Sequence, residues 1–352
     1  METGKKKFVI DGEMSERFNI MKLLFMVMVV FLHSQALPVF SHPFEVPVWV
    51  QTVKDVIDRD LFFVAVPGFF ILSSILLYSK EFTWVQNIKK KVRTILLPYV
   101  IINTFWLLFF FMMSKIPALS PYFSSDQYSV RTWQDVVNAY FGAFPLYYPF
   151  WFLKDLFLLN LIAPLFKWLV DKVPLLTGTA VLLWYFSEIP VPLLKANDSL
   201  FFWMVGLFLV KYGFDLASLD KTGAWEWTLS VAAGATVVFF HKTTVTLLVY
   251  ILPAFFACYV FSGFLLKTRA REALLKWSGY AFFIFAFHEF YEAMIKKIVM
   301  EVLPQPGIVQ LLEFLLLPLL IVMLCILAGQ LFEKLLPKTY AVLMGGRVRK
   351  KT

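Results

Sequence analysis

Two ionisable side chains of this chain lie inside its first long apolar segment, where such groups are costly and are candidates for function. His33 lies about two-thirds of the way along that segment, and Lys22 precedes it by eleven residues. Eleven residues of α-helix rise about 16 Å in about three turns, so the two side chains share a face. An elongated anionic ligand could lie along this face. Alternatively, His33 is a packed histidine and Lys22 is a lysine that snorkels at a helix end.

A basic cluster lies where the third apolar segment begins. Lys90 and Arg93 are three residues apart and are expected to share a helix face. With Lys89 and Lys91 they form a group of four cations that could hold phosphates. The alternative is that they are ordinary cytoplasmic loop cations, which need no ligand. Composition alone favours this alternative.

Further polar groups lie in the second and fourth apolar segments. Pro67-Gly68 inside a span predicts a kink or a local opening of the helix, either for packing or for function, and Ser73 follows it. Lys154 and Asp155 lie one turn inside the fourth segment, where they can pair with neighbours. We therefore include Ser73, Lys154 and Asp155 as candidates for an acceptor site or a structural polar site.

The ninth apolar segment carries His288, Glu289 and Glu292. Their spacings of three and four residues place them near one another on a helix. We interpret His288 as a second polar anchor rather than a base, and add His288 and Glu289 to the same candidates. Cys258 and Cys325 both lie in apolar runs and are interpreted as packing residues, so no metal site is predicted.

These groups must be positioned by ten apolar segments, each a candidate membrane-spanning helix. The chain is 60% apolar and 16% charged, whereas soluble domains are about 45–50% apolar and ~25% charged. No alternation typical of a membrane barrel is present, and backbone hydrogen bonding in lipid then requires a helix bundle. The predicted spans are 18–40, 61–79, 94–113, 150–170, 174–188, 199–214, 224–241, 243–266, 279–297 and 307–334.

The positive charges predict the orientation. With ten spans and both termini cytoplasmic, 24 of the 33 Lys and Arg fall on the cytoplasmic side. The net charge of +9 therefore indicates membrane topology rather than nucleic acid as a partner. We predict an all-α, multi-pass protein of the cell membrane. Its parts are a cytoplasmic tail at 1–17, a transmembrane domain at 18–336 and a basic cytoplasmic tail at 337–352, with a short amphipathic helix predicted at 132–144.

Five patterns in this order resemble the membrane-bound acyltransferase-3 family, and the resemblance runs from about Phe18 to Lys334. They begin with a lysine and a histidine separated by ten residues and end with Phe-Phe-Ile-Phe-x-x-x-His. The patterns lie at Lys22 to His33, Val66 to Ser73, the basic pair before Leu96-Leu97-Pro98-Tyr99, Trp151 to Leu156, and Phe282 to His288.

The resemblance implies transfer of an acyl group, usually acetyl, from cytoplasmic acyl-CoA to a hydroxyl of a glycan. It implies that His33 is catalytic and that Lys22, Lys90 and Arg93 bind acyl-CoA, which is a substrate rather than a resident cofactor. The chain departs from the family in two places. Lys90 replaces the first arginine of Arg-x-x-Arg and lacks its bidentate fork, and Ser73-Ser74 replaces Ser-Gly.

Several alternatives stay open. His33 could act as a general base on the acceptor hydroxyl or could carry the acyl group as a nucleophile. The acceptor could be a cell-surface polysaccharide, peptidoglycan or a smaller glycoside. The rival functions are a transporter or flippase for a glycan or lipid-linked sugar, which also places ionisable groups at mid-membrane, and a non-catalytic membrane scaffold.

Overall fold

The computed structural model describes residues 8–34, 45–117, 132–142, 146–191, 193–240 and 243–346. The described part of the chain is helical and contains no strand, as the apolar segments predict. Each predicted span corresponds to a helix. In chain order the helices are α1 Gly12–Ser34, α2 Val48–Asp55, α3 Ala65–Tyr78, α4 Trp84–Lys91, α5 Leu97–Lys115, α6 Trp133–Phe141, α7 Trp151–Lys172, α8 Pro174–Ser187, α9 Asn197–Lys211, α10 Ala224–Phe240, α11 Thr244–Leu266, α12 Arg271–Ser278, α13 Ala281–Val302, α14 Gly307–Leu335 and α15 Pro337–Leu343.

Among the described residues, four helices are long and apolar enough to cross a membrane by length and composition. They are Gly12–Ser34, Trp84–Lys115, Leu247–Leu266 and Gly307–Leu335. The short predicted spans at 174–188 and 199–214 form α8 and α9, of 14 and 15 residues. Many leucines of α14 expose their side chains, as a lipid-facing surface requires.

Helix α1 lies at the centre of the bundle. It packs against α3, α11, α12, α13 and α14. In its most apolar stretch 61% of the residues are buried, compared with 39% in each of the other three long apolar helices. More of α1 is therefore enclosed by protein than of the other three long apolar helices.

The first turns of α1 are fixed by a buried arginine. The Arg17 guanidinium donates to Glu13 at 2.6 Å and to Asp220 at 2.7 Å, and it lies 4.9 Å from the centre of the Tyr259 ring. The helix begins at Gly12, six residues before the predicted span. It ends at Ser34, and residues 35–40 of the predicted span lie outside the described residues.

The kink predicted at Pro67-Gly68 does not occur there, but the predicted span 61–79 is opened just before it, at residues 62–64. Helix α3 begins at Ala65, so Pro67 lies in its first turn, where a missing N–H is tolerated. The irregular backbone comes earlier, in a π-helical turn at Val56–Leu61. Gly68 instead permits close packing, because a Cβ there would lie 2.5 Å from Cζ of Phe25 on α1.

Two local predictions concern helix boundaries. The amphipathic segment predicted at 132–144 forms α6, and Thr132 and Asp135 cap it reciprocally through side chain and backbone. The start of the predicted C-terminal tail forms α15, in which Tyr340 is buried. The tail therefore begins as a packed part of the bundle.

Candidate active site

A cavity of about 530 Å³ lies between α1, α3, α7, α12 and α13. The α1 residues that line it are three or four positions apart, so they belong to one face of the helix. These residues are Asn19, Lys22, Met26, Val29 and His33. The structure thus brings Lys22 and His33 to one cavity, as their eleven-residue spacing predicts. Lys22 Nζ donates to Asn19 Oδ1 at 3.1 Å.

The His33 ring has a defined tautomer. Its Nδ1 lies 2.8 Å from the carbonyl oxygen of Val29, one turn earlier on α1. A carbonyl oxygen only accepts, so Nδ1 carries a proton, and in the neutral ring Nε2 carries a lone pair. Nε2 is buried and has no hydrogen-bond partner among the described residues. His33 therefore lines the cavity and holds a buried basic nitrogen without a hydrogen-bond partner among the described residues.

The other walls of the cavity are mainly apolar. Aromatic side chains from α3, α7 and α13 contribute Phe69, Trp151, Phe152, Phe282 and Phe285. Polar groups are few and include Ser73 and Ser278. Apolar walls with a few placed polar groups are typical of sites for small molecules and cofactors.

The second histidine lies beside the first. The His288 ring on α13 is 4.9 Å from the His33 ring, centre to centre, in an edge-to-face arrangement. Its Nδ1 lies 3.0 Å from the carbonyl oxygen of Ile284, and its buried Nε2 has no hydrogen-bond partner in the described chain. The sequence predicted His288 to be a second polar anchor on another helix. The structure shows that its ring contacts the ring of His33.

Glu289, the neighbour of His288, is held by its backbone. Its N–H donates to the hydroxyl of Tyr147 at 3.3 Å. Its side chain is outside the cavity lining as described. The structure therefore places Glu289 next to the histidine pair through the chain, and not in the cavity.

Lys154 and Asp155 make structural contacts. Lys154 Nζ donates to the carbonyl oxygen of Gly142 at 2.9 Å. Asp155 is fully buried, and its carboxylate accepts from the backbone N–H of Lys195 at 3.1 Å and from Ser199 Oγ at 2.7 Å. Asp155 therefore ties the segment before α9 to α7.

The tied segment brings a residue to the site that sequence reasoning missed. Lys195 Nζ donates to the Tyr148 hydroxyl at 2.9 Å and lies 4.4 Å from the centre of the Trp151 ring. Trp151 lines the cavity, and the Tyr148 ring is 6.0 Å from the His33 ring. In the sequence, an aspartate inside the predicted span 150–170 indicated that Asp155 has a polar partner. No spacing in the sequence indicated that this partner is Lys195.

The basic pair lies apart from the cavity. Lys90 and Arg93 are exposed, and neither belongs to the cavity lining among the described residues. Lys90 is the penultimate residue of α4, and Arg93 lies in a π-helical turn at Val92–Leu96. A π-helical turn follows i→i+5 bonds, so the shared face predicted from α-helical spacing is altered here.

Comparisons with known proteins give a family model and a relative that match most of the chain. A family model described as an acyltransferase domain, Acyl_transf_3, matches residues 15–330. The chain is similar to the succinoglycan biosynthesis protein ExoH of Rhizobium meliloti (strain 1021), with 25% identity over 292 residues that cover 79% of each chain. No solved structure matches the chain.

Proposed function

This chain belongs to the acyltransferase-3 family, and from that premise we propose that it transfers an acyl group from acyl-CoA to a hydroxyl of a polysaccharide in the cell membrane. The observation that carries the proposal is the single cavity lined by both Lys22 and His33. The relative named for succinoglycan biosynthesis supports a polysaccharide as the acceptor. Acetyl is the proposed acyl group, on the family resemblance.

The cavity suits an acyl-CoA with its thioester at His33. Coenzyme A is anionic at one end and carries the thioester at the other. Lys22 supplies a cation for a phosphate, and His33 lies about 16 Å further along α1, which is of the order of the reach of a pantetheine arm. The apolar aromatic walls between them suit that arm.

His33 Nε2 is the proposed reacting atom. As a general base it takes the proton of the acceptor hydroxyl while the oxygen attacks the thioester carbon. The C–S bond then breaks, and the proton passes from Nε2 to the departing sulfur. In the alternative route Nε2 itself attacks the thioester carbon and the C–S bond breaks, so that CoA leaves as the thiolate. The acceptor oxygen then takes the acyl group from Nε2, and the hydroxyl proton passes to the thiolate. Both routes need the lone pair that the Nδ1 contact with Val29 leaves on Nε2.

Lys90 and Arg93 are proposed contacts for the nucleotide end of the donor. Both are exposed, so they can meet only a part of acyl-CoA that projects beyond the cavity. We propose that they contribute to affinity and not to the chemical step. We propose that this end of the bundle is cytoplasmic, and the Lys and Arg distribution supports this orientation.

The test uses purified protein in nanodiscs with radiolabelled acetyl-CoA and polysaccharide isolated from cells that lack the gene. The wild-type protein is expected to release CoA and to label the polysaccharide. His33→Ala is expected to lower turnover by about 10²–10⁴-fold, the usual contribution of a positioned acid or base. A monodisperse elution profile shows that the variant still folds.

The alternatives give different results in the same assay. A transporter moves its substrate without releasing CoA, and a scaffold does neither. Full activity of His33→Ala overturns the assignment of the reacting residue. Mass analysis of the labelled polysaccharide also identifies the acyl group.

A further inference from the structure

One face of α13 carries three buried ionisable side chains in a row. His288, Glu292 and Lys296 are four residues apart, so they lie one above another on the helix. Their exposed fractions are 0%, 4% and 6%. Ionisable groups within membrane helices are costly and rare, so three on one buried face require a function. We call this set the α13 polar face.

The α13 polar face meets the end of α1 that carries His33. Lys296 Nζ donates to the carbonyl oxygen of Ser34 at 2.6 Å. Ser34 is the last residue of α1 and follows His33 directly. The last carbonyl groups of a helix lack intrahelical donors and carry partial negative charge, so a lysine there is stabilising. Lys296 therefore fixes the final turn of α1.

His288, the first residue of the α13 polar face, supplies the second imidazole. His288 Nδ1 is held by its own helix, as His33 Nδ1 is, so both rings have an unprotonated Nε2. Two lone pairs cannot hydrogen-bond to each other. Once His33 Nε2 takes up a proton it becomes a donor, and the neighbouring His288 ring, 4.9 Å away centre to centre, carries a nitrogen that can accept. In the structure the two Nε2 atoms are not hydrogen-bonded to each other.

Glu292 lies between the other two members of the face. Its carboxylate oxygens are buried, and they interact with the side chain of Ser34 at the end of α1. It is attracted by the charge of Lys296, one turn further along α13.

We propose that the α13 polar face positions His33 for reaction, with Lys296 holding the end of α1 and His288 receiving the hydrogen bond of protonated His33. This inference rests on the proposed function. The proton taken from the acceptor hydroxyl stays on His33 Nε2, where it is shared with His288, and then passes to the sulfur of the departing CoA. No proton is gained or lost in the cycle. Lys296 and His288 are positioning residues, because they act through His33.

The kinetic test compares Lys296→Met with Lys297→Met. Lys297 is the adjacent residue of α13 and has an ion pair with Glu301 at 3.6 Å, so its variant makes the same charge change away from α1. Lys296→Met is expected to lower kcat by on the order of 10²-fold, because a misplacement of about 1 Å in a reacting group can cost that much. The KM for acetyl-CoA stays near the wild-type value, and Lys296→Arg restores part of kcat. Lys297→Met behaves as wild type.

A second pair of variants tests the imidazole contact. His288→Gln keeps an acceptor in the side chain and is expected to retain more kcat than His288→Phe, which fills the space without one. Equal losses in the two variants would show that His288 only packs. This pair also keeps the proposal testable if Lys296→Met does not fold.

A measurement that needs no turnover separates this proposal from the proposed function. The chain has only four histidines, so ¹³Cε1-histidine labelling in nanodiscs gives few signals, and His33→Gln assigns that of His33. Lys296→Met is expected to shift the His33 signal, and Lys297→Met is not. If the wild type is inactive but Lys296→Met still shifts the His33 signal, the acyltransferase reaction is refuted and the contact between Lys296 and the end of α1 is supported. An unshifted His33 signal with unchanged kcat overturns the positioning role.

Discussion

The contact between Gly68 and Phe25 sets the distance between α1 and α3, which form two walls of the cavity. A Cβ added at Gly68 would lie 2.5 Å from Phe25 Cζ and 2.7 Å from Cε2. Ordinary carbon contacts are about 3.5–4.0 Å, so the ring or the helix must move by about 1 Å. The ring has little room, because it is fully buried and packs against Phe69 and Phe255. Gly68→Ala is therefore expected to be an overpacking change.

Overpacking of a close-packed core costs about 1–3 kcal/mol. Gly68→Ala is expected to lower the thermal unfolding midpoint in detergent by several degrees. It should also raise the KM for acetyl-CoA, because Val66, Phe69 and Leu72 of α3 line the cavity. Tryptophan fluorescence on heating gives the midpoint, and CoA release gives the KM.

The double variant makes the prediction specific. Phe25→Leu removes the ring atoms that a Cβ would meet, so Phe25→Leu/Gly68→Ala should be more stable than the sum of the two single changes predicts. Gly12→Ala is the matched control, because a Cβ at Gly12 meets nothing within 4 Å. An unchanged midpoint in Gly68→Ala, or strictly additive effects in the double variant, would refute the packing argument.

The remaining predictions concern charges near the cavity. Lys22→Met is expected to raise the KM for acetyl-CoA tenfold or more with little change in kcat, since a hydrogen bond to a charged group contributes about 1.5–3 kcal/mol. The surface variant Lys167→Met is its control. Equal KM values in the two variants would contradict a phosphate contact of Lys22. Asp155→Ala leaves the buried donors of Lys195 and Ser199 without their acceptor, at about 1–3 kcal/mol each. The thermal midpoint and kcat should both fall, less so in Asp155→Asn, and a midpoint equal to wild type would argue against the anchor.

The sequence predicted the features that depend on one helix at a time. The apolar runs predicted the helices, because backbone hydrogen bonding in lipid leaves few other structures. The shared face of Lys22 and His33 followed from the period of the α-helix alone. Both predictions need no knowledge of how the helices pack.

Features that depend on two or more helices were not predictable in this way. His33 and His288 are 255 residues apart in the chain, and their contact follows from the packing of α13 on α1. The link between Asp155 and Lys195 spans 40 residues and uses a backbone N–H, which leaves no trace in residue types. The π-helical turn before α5 altered the register of Lys90 and Arg93, which the pattern treated as a regular helix.

The position of α1 explains why a histidine there can carry out chemistry that it could not on another span. A general base in this reaction must contact both substrates, and the site around it must exclude competing water. The outer helices α5 and α14 expose much of their surface, so a histidine on their outer faces would meet lipid. On the central helix, His33 is enclosed by the helices around α1, meets the cavity on one side and has the second histidine of α13 beside it. The burial of α1 thus supplies both the access and the enclosure that the proposed reaction needs.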